Sequence, residues 1–192
     1  IFKNFSIKRI FSFEPSPLNF KKLSQNKRFI QNKFQDLEIN LENYALGSEK
    51  KKLLMNQLSE TSSSTINDID QNSKYFKKKN TFLNLRKNEN FIKEVEINQI
   101  TLFDYIEKKK ISKIDFLKID TEGYEFNVLV GMGKYLKNVN LVMFEHHYHD
   151  MLVKNYSFSD IHDLLKRNNF KQIFKYKMPF RKTFEYVYKK ID

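Results

Sequence analysis

An α/β fold, with a mostly parallel sheet and helices on both faces, is what this 192-residue sequence predicts. Three observations carry that prediction. Ile114 to Ile119 is an apolar run interrupted only by Asp115 and Lys118, the pattern of a largely buried strand in a parallel sheet. It stops abruptly at Asp120-Thr121-Glu122-Gly123, after which Phe126, Leu129 and Val130 recur at helical spacing, so a helix starts near Glu122 or Tyr124. Short apolar runs alternate with helical patterns along much of the chain, as in strand–helix–strand units with right-handed crossovers. Ligands of open α/β sheets bind beyond the carboxyl ends of the strands, which directs attention to Asp120 and Glu122.

Arg9 to Phe13 reads as the first strand, with Glu14 at its carboxyl end. Ser16-Pro17 supplies an N-cap and a first-turn proline for a helix through about Asn26, with Phe20 and Leu23 on one face. Ile39 to Leu46 alternates as the next strand. From Gly47 to Asn90 the pattern degrades. Ser59 to Ser64 is polar and Asn72 to Asn90 is rich in Lys and Asn, so a hairpin and a long insertion both stay open. Phe91 to Ile97 alternates as a half-exposed strand. Thr101-x-x-Asp104 is a capping-box-like start for a helix containing Leu102, Tyr105 and Ile106. Gly131-Met132-Gly133, after the central helix, reads as a cap or turn. Asn140 to Glu145 is the next buried strand, and it delivers Glu145, His146 and His147 to the same sheet edge as Asp120. Ser157 or Ser159 opens a helix with Ile161, Leu164 and Leu165 at core spacing, ending near Asn168-Asn169. Phe170 to Tyr176 and Phe184 to Lys189 are the final strands. The chain reads as a single domain over 1–192, with no internal repeat and no interdomain linker.

The motif Lys118-Ile-Asp-Thr-Glu-Gly-Tyr-Glu125 is accompanied, in order, by Phe13-Glu-Pro-Ser-Pro17 with Asn19-Phe20, by Tyr44-Ala-Leu-Gly47, and by the strand ending in Phe144-Glu145. This ordered set resembles the FkbM-type methyltransferases, over roughly Arg9 to Glu145. The resemblance implies a Rossmann-like class I methyltransferase fold with antiparallel C-terminal edge strands, S-adenosylmethionine as cofactor, and O-methylation of a sugar, glycan or other small molecule. It also implies a glycine-rich turn of the D-x-G-A-N-x-G type ahead of the F-E-P motif. None of Gly47, Gly123, Gly131 and Gly133 forms such a turn before Glu14, and the first residue is Ile rather than Met. An N-terminally truncated domain is therefore expected.

Site residues follow from the strand ends and from the resemblance. A carboxylate at the end of the first strand, Glu14, can accept hydrogen bonds from both ribose hydroxyls of an adenosine. The rival reading is a loop acid favoured by the helix start. By resemblance, Ala45 and Leu46 face the adenine edge, and Ser62 to Ser64 match a serine-containing segment near the cofactor, unless they are a flexible linker. Asp120 and Glu122 complete the expected cofactor-binding set. Methyl transfer from a sulfonium to oxygen is an in-line displacement, which needs both partners held at attack distance and a base for the hydroxyl proton. Asp120, Glu145, His146 and His147 are the expected catalytic residues. Asp120 orients the acceptor, and Glu145 or one histidine takes the proton. A carboxylate base of ordinary pKa keeps the rate nearly flat from neutrality to about pH 5, whereas a histidine base loses activity as it protonates. The two histidines cannot both face the cleft if the strand continues through them. Glu145 and His146-His147-x-His149 have the chemistry of metal ligands, but adjacent histidines are a poor spacing signature, and no metal is expected. Asp104 and Glu125 are read as favourable first-turn helix acids.

The net charge of +12 suggests an anionic partner. The lysines, however, fall in scattered clusters (Lys50–Lys52, Lys77–Lys79, Lys108–Lys110) in a chain also rich in Asn and Ile, which reads as a solvated surface rather than a nucleic-acid groove. No apolar stretch approaches the length of a membrane span. The absence of cysteine excludes disulfides and thiolate metal sites, and cytoplasm is the expected compartment. The expected partner is a small-molecule or glycan acceptor, with no nucleic acid. The alternative is a non-catalytic basic binding module or an inactive remnant of the enzyme.

Overall fold

The structure, a computed structural model, describes residues 6–58, 65–78, 92–179 and 181–191. Strand β1 (Arg9–Phe13) and strand β2 (Glu38–Glu42) form a parallel ladder connected by helix α1 (Pro17–Lys33). The Ser16 side chain accepts from the Asn19 N–H and Pro17 opens the helix, as the sequence predicts. The helix runs past Asn26 because no glycine or proline interrupts it before Lys33. It contributes no buried residue.

The predicted strand Ile39–Leu46 is broken in two. Asn43 donates from Nδ2 to the carbonyls of Glu14 and Pro15, and the chain turns away from β1. The short β3 (Ala45–Leu46) instead pairs in parallel with β5 (Ile92–Ile100), whose other edge runs antiparallel to β4 (Lys51–Leu58). That ladder settles the choice left open for the middle of the chain as far as it is described. Ser62 to Ser64 lie outside the described residues.

The third ladder has the order β6–β7–β9–β8, from β6 (Ile114–Ile119), β7 (Val139–His147), β8 (Phe170–Lys177) and β9 (Thr183–Lys190). Helix α2 (Leu102–Lys109) precedes β6 and is capped by Thr101, whose Oγ1 accepts from the Asp104 N–H at 3.0 Å. Helix α3 (Glu125–Val130) and a 3-10 turn (Gly133–Asn138) link β6 to β7. Helix α4 (Phe158–Arg167) links β7 to β8 and begins with a complete Ser157–Asp160 capping box.

The expected single, mostly parallel sheet is corrected to three separate ladders, one parallel pair and two mixed. β1–β2, β3–β5 and β6–β7 are parallel; β4–β5, β7–β9 and β8–β9 are antiparallel and longer. The cause is connection length. Parallel neighbours need a crossover, which α1 and the α3 segment supply, whereas a short turn such as that between β8 and β9 permits only an antiparallel pair. Among the described residues, β1 pairs with β2 alone, and β6 pairs with β7.

The main core gathers Val142 and Phe144 of β7, Tyr186 and Tyr188 of β9, Ile161 and Leu165 of α4, and apolar residues of α2 and α3. Strand alternation and register put Phe116, Leu141, Met143, Val187 and Phe174 on the opposite face. That face is only partly covered, with Phe116 46% and Phe174 53% exposed. The expected helical cover on both faces is thus found on one face of this ladder. β6, paired on one side only, buries just Ile119 rather than most of its length. Among the described residues no helix is long and apolar enough to cross a membrane.

Candidate functional site

The site is built on the turn that follows β6. Glu122 has φ 49° and Gly123 φ 94°. The left-handed conformation suits glycine, and a Cβ at position 123 would lie 2.6 Å from Asn67 Nδ2. At Glu122 the same region costs on the order of 1–2 kcal/mol. The turn is held from several directions. Thr65 Oγ1 donates to the Glu122 carbonyl at 2.8 Å, and Asn67 Nδ2 donates to the Gly123 carbonyl. From inside, Glu125 accepts the Gly123 N–H at 2.8 Å and the Thr121 hydroxyl at 3.2 Å.

Glu125 is fully buried. Its second carboxylate oxygen accepts the Tyr156 hydroxyl at 2.5 Å. Burial pushes the Glu125 carboxyl up, while the donors from Tyr156, Gly123 and Thr121 act to lower it. Burial, followed by the nearby Glu125 charge, raises the Tyr156 phenol in turn. The predicted first-turn acid is therefore a structural anchor of the turn.

Asp120 directly follows β6, and Glu145 lies just past the last β6–β7 pair, Ile119 with Phe144; the strand end predicted at Glu145 is corrected, because β7 runs on to His147 through its pairing with β9. Lys118 Nζ is 2.9 Å from Asp120 Oδ2. Burial works against the Lys118 charge, but the Asp120 hydrogen bond and the negative field of Asp120, Glu145 and Glu185 raise its pKa. Glu145 is 8% exposed and faces Glu185 across the β7–β9 ladder. Its carboxyl is pushed up to about 7, first by burial and then by the Asp120 charge, with Lys118 opposing.

The histidines part company. His146 sits among aromatic rings, 4.7 Å from Tyr148 and 5.8 Å from Phe158 between centroids. Burial, then the Lys154 charge, holds its imidazole down at about 4. His147 lies opposite Thr183, with Nδ1 3.0 Å from Thr183 Oγ1 and Nε2 3.3 Å from Glu122 Oε2. Burial, then the charges of His149, Lys154, His146 and Arg181, holds it down at about 3. The Glu122 carboxylate favours a charged ring, but at 4% exposure and amid basic neighbours the neutral state prevails. Lys154 Nζ also donates to the His147 carbonyl, and His149 stacks on Tyr75 at 4.3 Å. Among the described residues no group of three or more His, Cys, Asp or Glu side chains is arranged to hold a metal ion.

Glu14 ends β1 and belongs to a different ladder from Asp120. Its Oε1 accepts the Ser16 N–H at 2.9 Å, and burial raises its carboxyl while that bond and Asn19 lower it. Both readings of Glu14 thus have a structural basis: it braces the helix start and still presents a carboxylate at a strand end. Ala45 is buried in a small cluster with Met55 and Ile97, and Leu46 packs on the main core, so neither side chain is turned out toward a cleft. Just beyond, buried Gln99 donates from Nε2 to the Glu49 carbonyl, but its Oε1 has no partner.

A polar cleft of about 480 Å³ lies beside the turn, lined by Glu49, Lys51, Asn67, Tyr124, Asn127 and Lys154 among others. A second cleft, about 340 Å³ at Ser6 and Lys33 to Leu37, is remote from these strand ends and from the residues discussed above. The sequence reading missed Thr65, Asn67, Tyr156 and Thr183, which act through partners distant in the chain and carry no local signal.

Comparison with known proteins fits this arrangement. A family model described as the methyltransferase FkbM domain matches residues 2–171. No curated protein matches the chain. Among solved structures, the chain is similar to a methyltransferase FkbM from Methylobacillus flagellatus KT, with a TM-score of 0.57 and 16% identity over 94% of this chain. The alignment spans 36% of that longer protein. At this identity the likeness speaks for the fold.

Proposed function

Because the chain belongs to the methyltransferase FkbM domain family, we propose that it is an S-adenosylmethionine-dependent O-methyltransferase acting on a hydroxyl of a sugar, glycan or other small molecule. The observation that carries the reading is the buried Glu145, with a pKa of about 7, beside Asp120 at the end of the neighbouring strand. A group that exchanges its proton at the working pH is suited to remove one from a hydroxyl.

S-adenosylmethionine, when bound, supplies an electrophilic methyl group on a sulfonium. Glu14 would hold the ribose hydroxyls, with the backbone beyond Ala45 and Leu46 at the adenine edge and Glu122 at the other end of the cofactor. Asp120, anchored by Lys118, orients the acceptor hydroxyl. Glu145 receives the hydroxyl proton. His146 and His147, both buried and neutral, take no part in that transfer. Against the reading as a basic binding module, Lys51 and Lys52 are engaged by Glu49 and Glu96 at 2.7 and 3.0 Å, and Lys109 lies 3.8 Å from Glu42. Paired lysines offer a polyanion less than free ones do.

The test is transfer of a labelled methyl group from S-adenosylmethionine to a panel of monosaccharides, oligosaccharides and simple polyols, with Glu145→Gln as control. Label appearing on a hydroxyl with wild type, and falling at least a hundredfold with Glu145→Gln, is expected. Full transfer by Glu145→Gln would remove the assignment of the base.

A further inference from the structure

Beside the proposed base lies a second polar group, Thr183, His147 and Glu122, which joins the end of β7 to the turn after β6. His147 is 4% exposed, and its ring is approached from both sides. On one side is Thr183 Oγ1, 3.0 Å from Nδ1. On the other, Glu122 Oε2 is 3.3 Å from Nε2, yet Nε2 has no hydrogen-bond partner, so the contact is close but not aligned. A buried ring nitrogen in that position calls for an explanation.

The carboxylate decides the tautomer. With the proton on Nδ1, the Nε2 lone pair would face a carboxylate oxygen, which is repulsive. With the proton on Nε2, the positive N–H edge lies beside the carboxylate, 3.3 Å away though short of an aligned hydrogen bond, and Nδ1 is left to accept the Thr183 hydroxyl. Resting on the methyltransferase reading, we propose that His147 is the positioning residue for Glu122. The Thr183 hydroxyl donates to Nδ1, the ring proton sits on Nε2, and that N–H steadies the Glu122 carboxylate where it meets the cofactor. The surrounding groups agree with a neutral ring: His149, Lys154, His146 and Arg181 all disfavour a second proton on it. The loose contact tightens when a ligand draws on Glu122, as such bonds commonly do on complex formation. No proton leaves the ring at any stage.

Two measurements test this on the intact chain. In the first, long-range ¹H–¹⁵N correlation of labelled protein reads the His147 tautomer directly. It should show the proton on Nε2 and no titration between pH 5 and 8, and Thr183→Val should erode that tautomer preference. A wild-type ring protonated on Nδ1, or one titrating near its ordinary pKa, overturns the inference. In the second, methyl transfer is compared in His147→Leu and His147→Gln. The leucine variant should raise KM for S-adenosylmethionine about tenfold and leave the pH dependence of kcat in place, and glutamine, which can still donate, should recover most of the loss. Disappearance of the pH dependence in His147→Leu would make His147 the base and defeat the proposal. If wild type transfers no methyl group at all, the enzymatic reading fails, and the tautomer measurement still judges the Thr183–His147–Glu122 arrangement.

Discussion

The half-buried Tyr156 hydroxyl meets the fully buried Glu125 carboxylate at 2.5 Å, and so ties the segment before α4 to the turn after β6. Removing the hydroxyl leaves a buried carboxylate oxygen without its donor. Tyr156→Phe should therefore destabilise the fold by on the order of 1–3 kcal/mol, measured by urea denaturation. A loss within error of zero would mean that Glu125 finds another donor, and the anchor described here would be wrong.

Glu145 sets the second expectation. A base with a pKa of about 7 must be ionised to work, so activity should fall as pH drops through about 7. Asp120 is the largest neighbouring charge holding that value up. Asp120→Asn should move the midpoint of the pH–rate profile to lower pH, alongside any loss of turnover from poorer acceptor orientation. An unmoved midpoint, with turnover still measurable, argues that the two carboxylates do not sense each other.

His146 gives a prediction about stability. Its folded pKa of about 4 lies below the ordinary value of 6.5, so the unfolded chain takes up the proton first. The stability this contributes is complete above about pH 6.5 and is lost as pH falls toward about 4, at up to roughly 1.4 kcal/mol per pH unit. His146→Phe keeps the ring among Tyr148, Tyr156 and Phe158 and removes the titration. Between pH 7.5 and 5 the variant should gain about 2 kcal/mol relative to wild type in paired urea titrations. A constant difference across that range would show that His146 is not held neutral.

Gly131 concerns the joint between two ladders. A methyl group there would sit 1.9 Å from the Gly47 carbonyl oxygen, and backbone cannot step aside as a side chain can. Gly131→Ala should cost at least about 3 kcal/mol. Thermal melting of this variant beside Gly133→Ala, where the nearest contact is the edge of the Phe103 ring at 3.4 Å, separates backbone collision from the cost of a positive φ.

Features governed by near neighbours in the chain were legible in the sequence. The caps at Ser16, Thr101 and Ser157 depend on residues three positions away, and all three are formed. The end of β6 before Asp120 was legible for the same reason, since an apolar run that stops in acid marks its own end, whereas β7 continues past Glu145 to His147 because β9 pairs with it there. The break at Asn43 was not, because the amide that makes it reaches back to Glu14 and Pro15, 28 or 29 positions earlier. Nor was the role of Glu125. A first-turn acid on a solvated helix and one buried against Tyr156 have the same local pattern, and only the fold distinguishes them. Sheet composition was misjudged because hydrophobic patterns locate strands without stating which edges pair.

The turn at Glu122 has one more consequence. Its two carbonyls are taken by Thr65 and Asn67, its N–H at Gly123 by Glu125, and its left-handed residues are held in place by those bonds. A molecule arriving there has little backbone left to freeze. Its association should carry a small ordering penalty and proceed as docking onto a preorganised rim, with rejection of misfitting ligands arising from stiffness as much as from charge.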